Sequence, residues 1–428
     1  MHMEYEVKLP DHDFAVGENH KLIPSVIGDM QVVKSSDLAS NAVTYSGPTY
    51  VAIRSAKHTG SSAYSHLQDM KMIRSLPEFA ESFNFDETEK KVMIVTVDGG
   101  PDENPRYQKT IASAIEYFEE YQLDALFLAT NAPGRSVFNR TERRMAPLSR
   151  EMSGLILPHE TFGSHLDGNG KTIDDALELK NFEHAGKVLA KVWSNMSIDG
   201  HPVVAEFISD EANEPVVSKS EKWKAIHVRE SQYLLQIVKC NDRKCCLPFE
   251  SDYLIVLNDR FLPPPLPLQN SKTDGLVWAS DDKDGTYLSL FQNIDLKENL
   301  KSKRASDTYP KGLPYDFSCP SVDATTIERR SCIHCGLYFG SITRKTLHQT
   351  ACKKCPGSEK VQAPNIRVRP QRVAARRQRE LVCLLEMQEM EWLPIDEVEI
   401  EIVGDIPLIR NATGTPVLST DREPVWED

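Results

Sequence analysis

No run of eighteen apolar residues occurs in this 428-residue chain, and its amino end, Met1 to His12, is charged rather than leader-like. Those absences exclude a helical membrane span and a secretory signal, so the expectation is a soluble, unsecreted protein with no membrane partner. The first 239 residues contain no cysteine, and all nine cysteines follow. A disulfide framework running through the whole chain is thereby excluded, and thiols grouped in one half point to metal binding in a reduced compartment. Aromatic residues make up only 8% of the chain, yet hydrophobic residues make up 40%, enough for packed cores. A chain of this length fills two or three domains.

The net charge of −13 is short of positive charge overall, but its distribution matters more than its sum. From Glu386 to Asp428 twelve acidic residues face only Arg410 and Arg422. Just before them, Arg367, Arg369, Arg372, Arg376, Arg377 and Arg379 fall in thirteen residues without an acid. A local basic patch thus survives in an acidic chain. It reads either as a solvated helix face paired with the tail or as a phosphate-contacting or nuclear-import segment.

Strand-like and helix-like segments alternate through the first 210 residues. Thr49 to Arg54, Lys91 to Val97 and Leu126 to Ala129 are β-rich and apolar. Between the last two, Arg106 to Gln122 places Tyr107, Ile111, Ile115 and Phe118 at helical spacing, and Asp174 to Ser194 repeats that periodicity. The alternation predicts an α/β layer built around a sheet over 1–210. A polar stretch near 211–217 and the proline run FLPPPLPL mark 211–325 as a cysteine-containing, proline-rich connection. A metal module over 326–358 follows, and 359–428 reads as an arginine-rich helix and a disordered acidic tail.

Cys332-x2-Cys335, twelve residues, then His348-x3-Cys352 is the ligand spacing of a small zinc finger. Arg330 to Gly340 can form a hairpin carrying two thiolates, and Ser341 can cap a helix placing His348 and Cys352 one turn apart on one face. Four such ligands close a structural Zn²⁺ site with no open position for catalysis. Cys352-x2-Cys355 offers a ribbon-type alternative, which leaves His348 unused. Cys240, Cys245, Cys246 and Cys319 form either a second, weakly spaced site or buried free thiols.

The stretch VMIVTVDGG ends an apolar strand on Asp98 and two glycines. About forty residues later the loop Ala132-Pro133-Gly134-Arg135-Ser136-Val137-Phe138-Asn139-Arg140-Thr141-Glu142 opens a helix. Each acid alone reads as turn or capping chemistry. Together they resemble the second Asp and the Glu of ribonuclease H-like DDE transposases, in an insertion-sequence branch whose strand runs into Asp-Gly-Gly and whose later loop ends Pro-Gly-x-Ser-x-x-Asn-x-x-Glu. His12 to Phe14 and Ile23 to Val26 resemble the segment after the first strand of those enzymes. The similarity covers about residues 10–165, and the carboxy-terminal half resembles mobile-element-derived eukaryotic proteins.

The resemblance implies a ribonuclease H-like α/β fold, a mixed sheet with flanking helices, with Asp98 and Glu142 as catalytic carboxylates. In that family three acids hold two divalent ions across a scissile phosphate, a task suited to Mg²⁺. The family's first Asp belongs to a strand for which the eleven residues before His12 leave no room, so the fold is expected to lack its first strand and the acid set to be incomplete. Asp102, just behind Asp98, is a candidate to share one ion with it.

The leading expectation is therefore a nuclear, transposase-derived DNA-binding protein with a structural Zn²⁺ site. Phosphate contacts are assigned to the six arginines of Arg367 to Arg379 and to Arg135, Arg140, Arg143 and Arg144 near Glu142. Two alternatives stand beside it: an active Mg²⁺-dependent transposase or nuclease, and a cytoplasmic or nuclear adaptor that binds proteins through its zinc module and acidic tail.

Overall fold

The computed structural model describes residues 14–17, 20–30, 47–86, 88–131, 141–157, 159–209, 218–251, 260–262, 264, 268–271, 275–278, 314–319, 322–352, 398–403 and 406–411. It divides into a unit spanning residues 1–368 and a second spanning 369–428. In chain order the first unit contains β1 (Phe14–Gly17), β2 (His20–Gly28), β3 (Thr49–Ser55), α1 (Ala63–Ser75), α2 (Ala80–Phe83), β4 (Asn84–Phe85), β5 (Thr88–Glu89), β6 (Val92–Val97), α3 (Gln108–Glu120), β7 (Ala125–Thr130) and α4 (Glu142–Glu151). There follow α5 (Asp175–Ser194), β8 (Ser197–Ile198), β9 (His201–Phe207), α6 (Glu221–His227), β10 (Val228–Arg229), β11 (Leu234–Val238), β12 (Leu268–Ser271), β13 (Gly275–Trp278), α7 (Ala324–Arg330) and α8 (Ile342–Ala351). No described helix is long and apolar enough to cross a membrane.

The architecture is α/β with two mixed sheets. The first has the order β1-β2-β3-β9-β8, in which β3 and β9 run parallel and the other pairs antiparallel. The second has the order β10-β11-β7-β6, in which β6 and β7 run parallel from Val92↔Ala125 to Val97↔Thr130. Helix α5 is capped by Asp174, which accepts the Leu177 N–H, and seats Phe182, Ala185, Leu189 and Trp193 on the first sheet beside Val51, Ile53 and Val203. Helix α3 puts Ile111, Ile115 and Phe118 on the second, against Leu126, Leu128, Leu235 and Ile237. Deleting one of these fully buried side chains to alanine costs about 2–5 kcal/mol by transfer and cavity terms.

Two boundaries differ from the sequence reading. Strands β10 and β11 lie beyond residue 210, yet they pair into the sheet with β7, so the core takes part of the segment read as a connection. The reason is apolar burial: Leu234, Leu235, Ile237 and Val238 are 0–1% exposed between two packed layers. Leu262, inside the proline run, also docks there, exchanging two hydrogen bonds with the Gln236 side chain. In the second unit Val398–Val403 (β14) and Ile406–Asn411 (β15) pair antiparallel within the tail read as disordered, the alternation of Val398, Ile400 and Ile402 with Glu399 and Glu401 matching the period of a strand. The rest of 353–428 lies outside the described residues, including Cys355, Cys383 and all six arginines from Arg367 to Arg379.

Candidate functional site

Asp98 stands exposed just past the last residue of β6, and the turn that follows is built around it. Its Oδ1 accepts the Gly100 N–H at 2.8 Å, and Gly99 holds φ +96°, where a Cβ would lie 2.3 Å from the Thr130 hydroxyl oxygen. Only glycine fits at 99, by conformation and by space.

Three further titratable groups, Asp102, Glu103 and His66, converge on this turn, and Asp69 flanks the histidine. Asp102 Oδ2 accepts from the Ser61 hydroxyl at 2.6 Å and lies 3.0 Å from His66 Nε2 on α1. Glu103 Oε1 is 3.5 Å from the same ring nitrogen, and Asp69 Oδ2 is 3.9 Å from Nδ1. Burial favours a neutral His66 ring, but the hydrogen bond to Asp102 and the charges of Glu103, Asp102 and Asp69 outweigh it and raise its pKa. Burial likewise works against an ionised Asp102, yet His66 and Ser61 hold it down at about 2. Glu103 behaves oppositely: burial, with the Asp98 carboxylate beside it, pushes it up to about 8 despite His66. Its proton is therefore held to a higher pH than that of an ordinary glutamic acid.

That proton has a measurable consequence. Because the folded-state pKa of Glu103 lies above its ordinary value of 4.5, its stabilising contribution is complete below that value and is lost as pH rises through about 8. Glu103→Gln, which mimics the protonated form, should match the wild type in denaturant unfolding at pH 5 and exceed it at pH 9. Parallel stability profiles for the two proteins would show that Glu103 is not protonated in the fold.

The acids border a cleft of about 560 Å³ lined by Pro24–Gly28 of β2, one face of α1 and Val92–Val97 of β6. Strand β6 is the edge of its sheet, and β1 covers only His20 to Leu22 of β2. The strand edges on both sides of the cleft thus lack a partner among the described residues.

Glu142 is the first residue of α4; its side chain and that of Arg143 lie outside the described residues, as do Arg135 and Arg140. Arg144 requires a correction. It is only 2% exposed, its stem packed over the bare backbone of Gly28, and neither terminal nitrogen has a hydrogen-bond partner among the described residues. Packing α4 against the first sheet turns this arginine inward, where its basic stretch suggested an exposed side chain.

Two groups of soft donors could hold metal ions. Cys332, Cys335, His348 and Cys352 are all buried, with their ligand atoms within 4.8 Å of one another and Cys335 Sγ 3.3 Å from His348 Nε2. The local folding follows the sequence: Ser331 bridges Tyr338, Gly336 turns at φ +74°, and Ser341 caps α8 by accepting the Arg344 N–H. His227, Cys240, Cys245 and Cys246 form the other group, again within 4.8 Å. Its fourth member is His227 rather than Cys319, whose sulfur lies instead 3.9 Å from Asp316. Cysteine spacing carries no trace of His227, because the β10–β11 hairpin separates it from Cys240.

The first group belongs to a module seated on the turn between β10 and β11. Asp316 accepts from the Gln232 N–H and the Tyr338 hydroxyl, each at 2.7 Å, and Arg330 donates to the Gln232 side chain at 3.0 Å. Gly340 approaches so closely that a Cβ there would lie 2.5 Å from the Ser231 carbonyl oxygen. Arg344 of α8 is buried against Glu230. Its outward residues include Ile333, Ile342 and Leu347, at 68%, 43% and 40% exposure. Compared with family models, curated proteins and solved structures, the chain matches none.

Proposed function

We propose that this protein is a transposase-derived nucleic-acid-binding protein with a ribonuclease H-like core, a structural zinc site at Cys332, Cys335, His348 and Cys352, and a catalytic acid set too depleted for strand transfer. The observation that carries the reading is the state of the acids beside Asp98. Asp102 is engaged by His66 and Ser61 and Glu103 faces the same imidazole, so the acids nearest Asp98 are partnered by the fold itself, where two divalent ions would need them as ligands. The parallel β6–β7 pair, with an acid at the carboxyl end of β6 and the other edge of β6 unpartnered among the described residues, supports a ribonuclease H-like sheet. Nucleic-acid contact rests on Arg367 to Arg379, since the helix of the zinc module spends its one arginine on Glu230.

The test uses a fluorescently labelled duplex. Anisotropy should report binding that weakens steeply from about 50 to 200 mM salt as phosphate contacts give way to counterions. With Mg²⁺ present, the duplex should stay intact. Cleavage that disappears in Asp98→Asn would establish an active nuclease instead, and an absence of binding at low salt would defeat the nucleic-acid reading.

A second reading, a protein-binding adaptor, is favoured by one observation: the exposed residues of the zinc module include Ile333, Ile342 and Leu347. Apolar side chains of this size on a small module suit a protein partner better than a phosphate backbone.

A further inference from the structure

We infer that His227, Cys240, Cys245 and Cys246 constitute a second zinc site, structural in role, which fastens the end of α6 to the end of β11 and steadies the surface on which the first zinc module sits.

The donor chemistry is set before any ion arrives. His227 is fully buried, and its Nδ1 lies 2.8 Å from the Trp223 carbonyl oxygen one turn earlier. A carbonyl oxygen only accepts, so Nδ1 bears the hydrogen and Nε2 presents its lone pair, the tautomer a metal needs. The Trp223 indole stacks on the ring at 4.1 Å and 12°, fixing its plane. From Nε2, Cys246 Sγ is 3.3 Å away and Cys245 Sγ 3.6 Å, while Cys240 and Cys246 sulfurs stand 3.7 Å apart. A tetrahedral zinc with Zn–S near 2.3 Å and Zn–N near 2.0 Å sets sulfurs about 3.8 Å apart and sulfur to nitrogen about 3.5 Å. The separations correspond. All three cysteines are free thiols, and 3.7 Å is far beyond a disulfide bond.

The loop is shaped for the task. The Cys245 and Cys246 N–H groups both donate to the Asp242 carbonyl at 2.9 Å, folding the chain so that its two adjacent thiols meet Cys240. Zinc held by three thiolates and a neutral imidazole leaves one net negative charge. Arg260 stands beside it, donating to the carbonyls of Ile226 and Lys239, the residues immediately before His227 and Cys240. Cysteine with histidine selects zinc over hard, oxygen-seeking cations, and four protein ligands leave no open position.

The consequence reaches the first site through α6. This helix carries His227 at its last position and Glu221 at its first, and Glu221 lies 3.4 Å from Arg344 of α8, whose main partner Glu230 follows β10. Residues 227–240 run from one ligand of the second site to another, and between them lie Glu230, Ser231 and Gln232, which receive the first module. The assignment holds whether or not the chain binds nucleic acid.

Native mass spectrometry of the purified wild-type chain, with elemental analysis, should find two zinc ions. Cys246→Ser and His227→Gln should each retain one, Cys335→Ser one, and the Cys246→Ser/Cys335→Ser double variant none. His227→Cys, which keeps a tetrahedral donor set, should retain two. One zinc in the wild type that vanishes with Cys335→Ser, or two ions persisting in Cys246→Ser, would overturn the site. So would a wild-type mass lower by two hydrogens with Cys240 and Cys246 linked. The wild-type count stands even if a variant fails to fold.

Discussion

Arg344→Met should destabilise the protein by about 3–5 kcal/mol, the penalty typical of breaking a buried ion pair by removing one partner. Arg344 donates from Nε to both Glu230 oxygens, at 3.2 and 3.1 Å, and from Nη2 at 2.7 Å, with the two residues 2% and 3% exposed. Burial already favours the neutral form of Glu230, and the guanidinium is the chief influence opposing it. Without Arg344 the carboxyl either stays charged and buried without its main partner or takes up a proton, and both routes cost stability. Pairing the change with Glu230→Leu should recover most of the loss, because an apolar pair of similar volume needs no compensating charge. Denaturant unfolding of the single and double variants decides it: if they are equally stable, Glu230 was never stranded.

Removing metal from the first site should have a larger, more local effect. The core of that module consists of Cys332, Cys335, Phe339 and Cys352 with Leu337 packed beside them, so its interior is mostly ligand. Structural zinc in such small modules is worth about 10–16 kcal/mol near neutral pH. The contacts docking the module, one buried ion pair and a few hydrogen bonds, amount to a few kcal/mol. The metal wins that comparison. Cys335→Ser, or treatment with a strong chelator, should open residues 331–352 to limited proteolysis and rapid amide exchange, while β6, β7 and α3 stay protected. Unchanged protection of 331–352 after complete loss of metal would show that docking alone holds the module.

The two metal groups differ in how far sequence could reach. Cys332, Cys335, His348 and Cys352 are joined by a knuckle and one helical turn, so spacing alone specified which residues meet. His227 meets its cysteines only after β10 and β11 have folded back, and no local period records that return. Likewise the Asp98-Gly99-Gly100 turn was legible, since a strand ending on Asp-Gly announces itself. The raised pKa of Glu103 was not, because it depends on burial and on the Asp98 carboxylate brought beside it by the fold, against the opposing charge of His66. Arg144 misled for the same reason: an arginine in a basic stretch looks exposed until a helix is laid on Gly28.

What the amino-acid sequence determined by itself were the features whose causes lie within a few residues: the apolar period of β6, α3, β7 and α5, the cap at Ser341, and the first cluster of cysteines and histidine. Tertiary structure alone decided where the core ends, which histidine completes the second thiol group, which arginine is buried and which carboxyl keeps its proton. The physical division is one of range. Backbone geometry and capping act along the chain, whereas burial and charge pairing depend on distances that exist only once separate segments have packed.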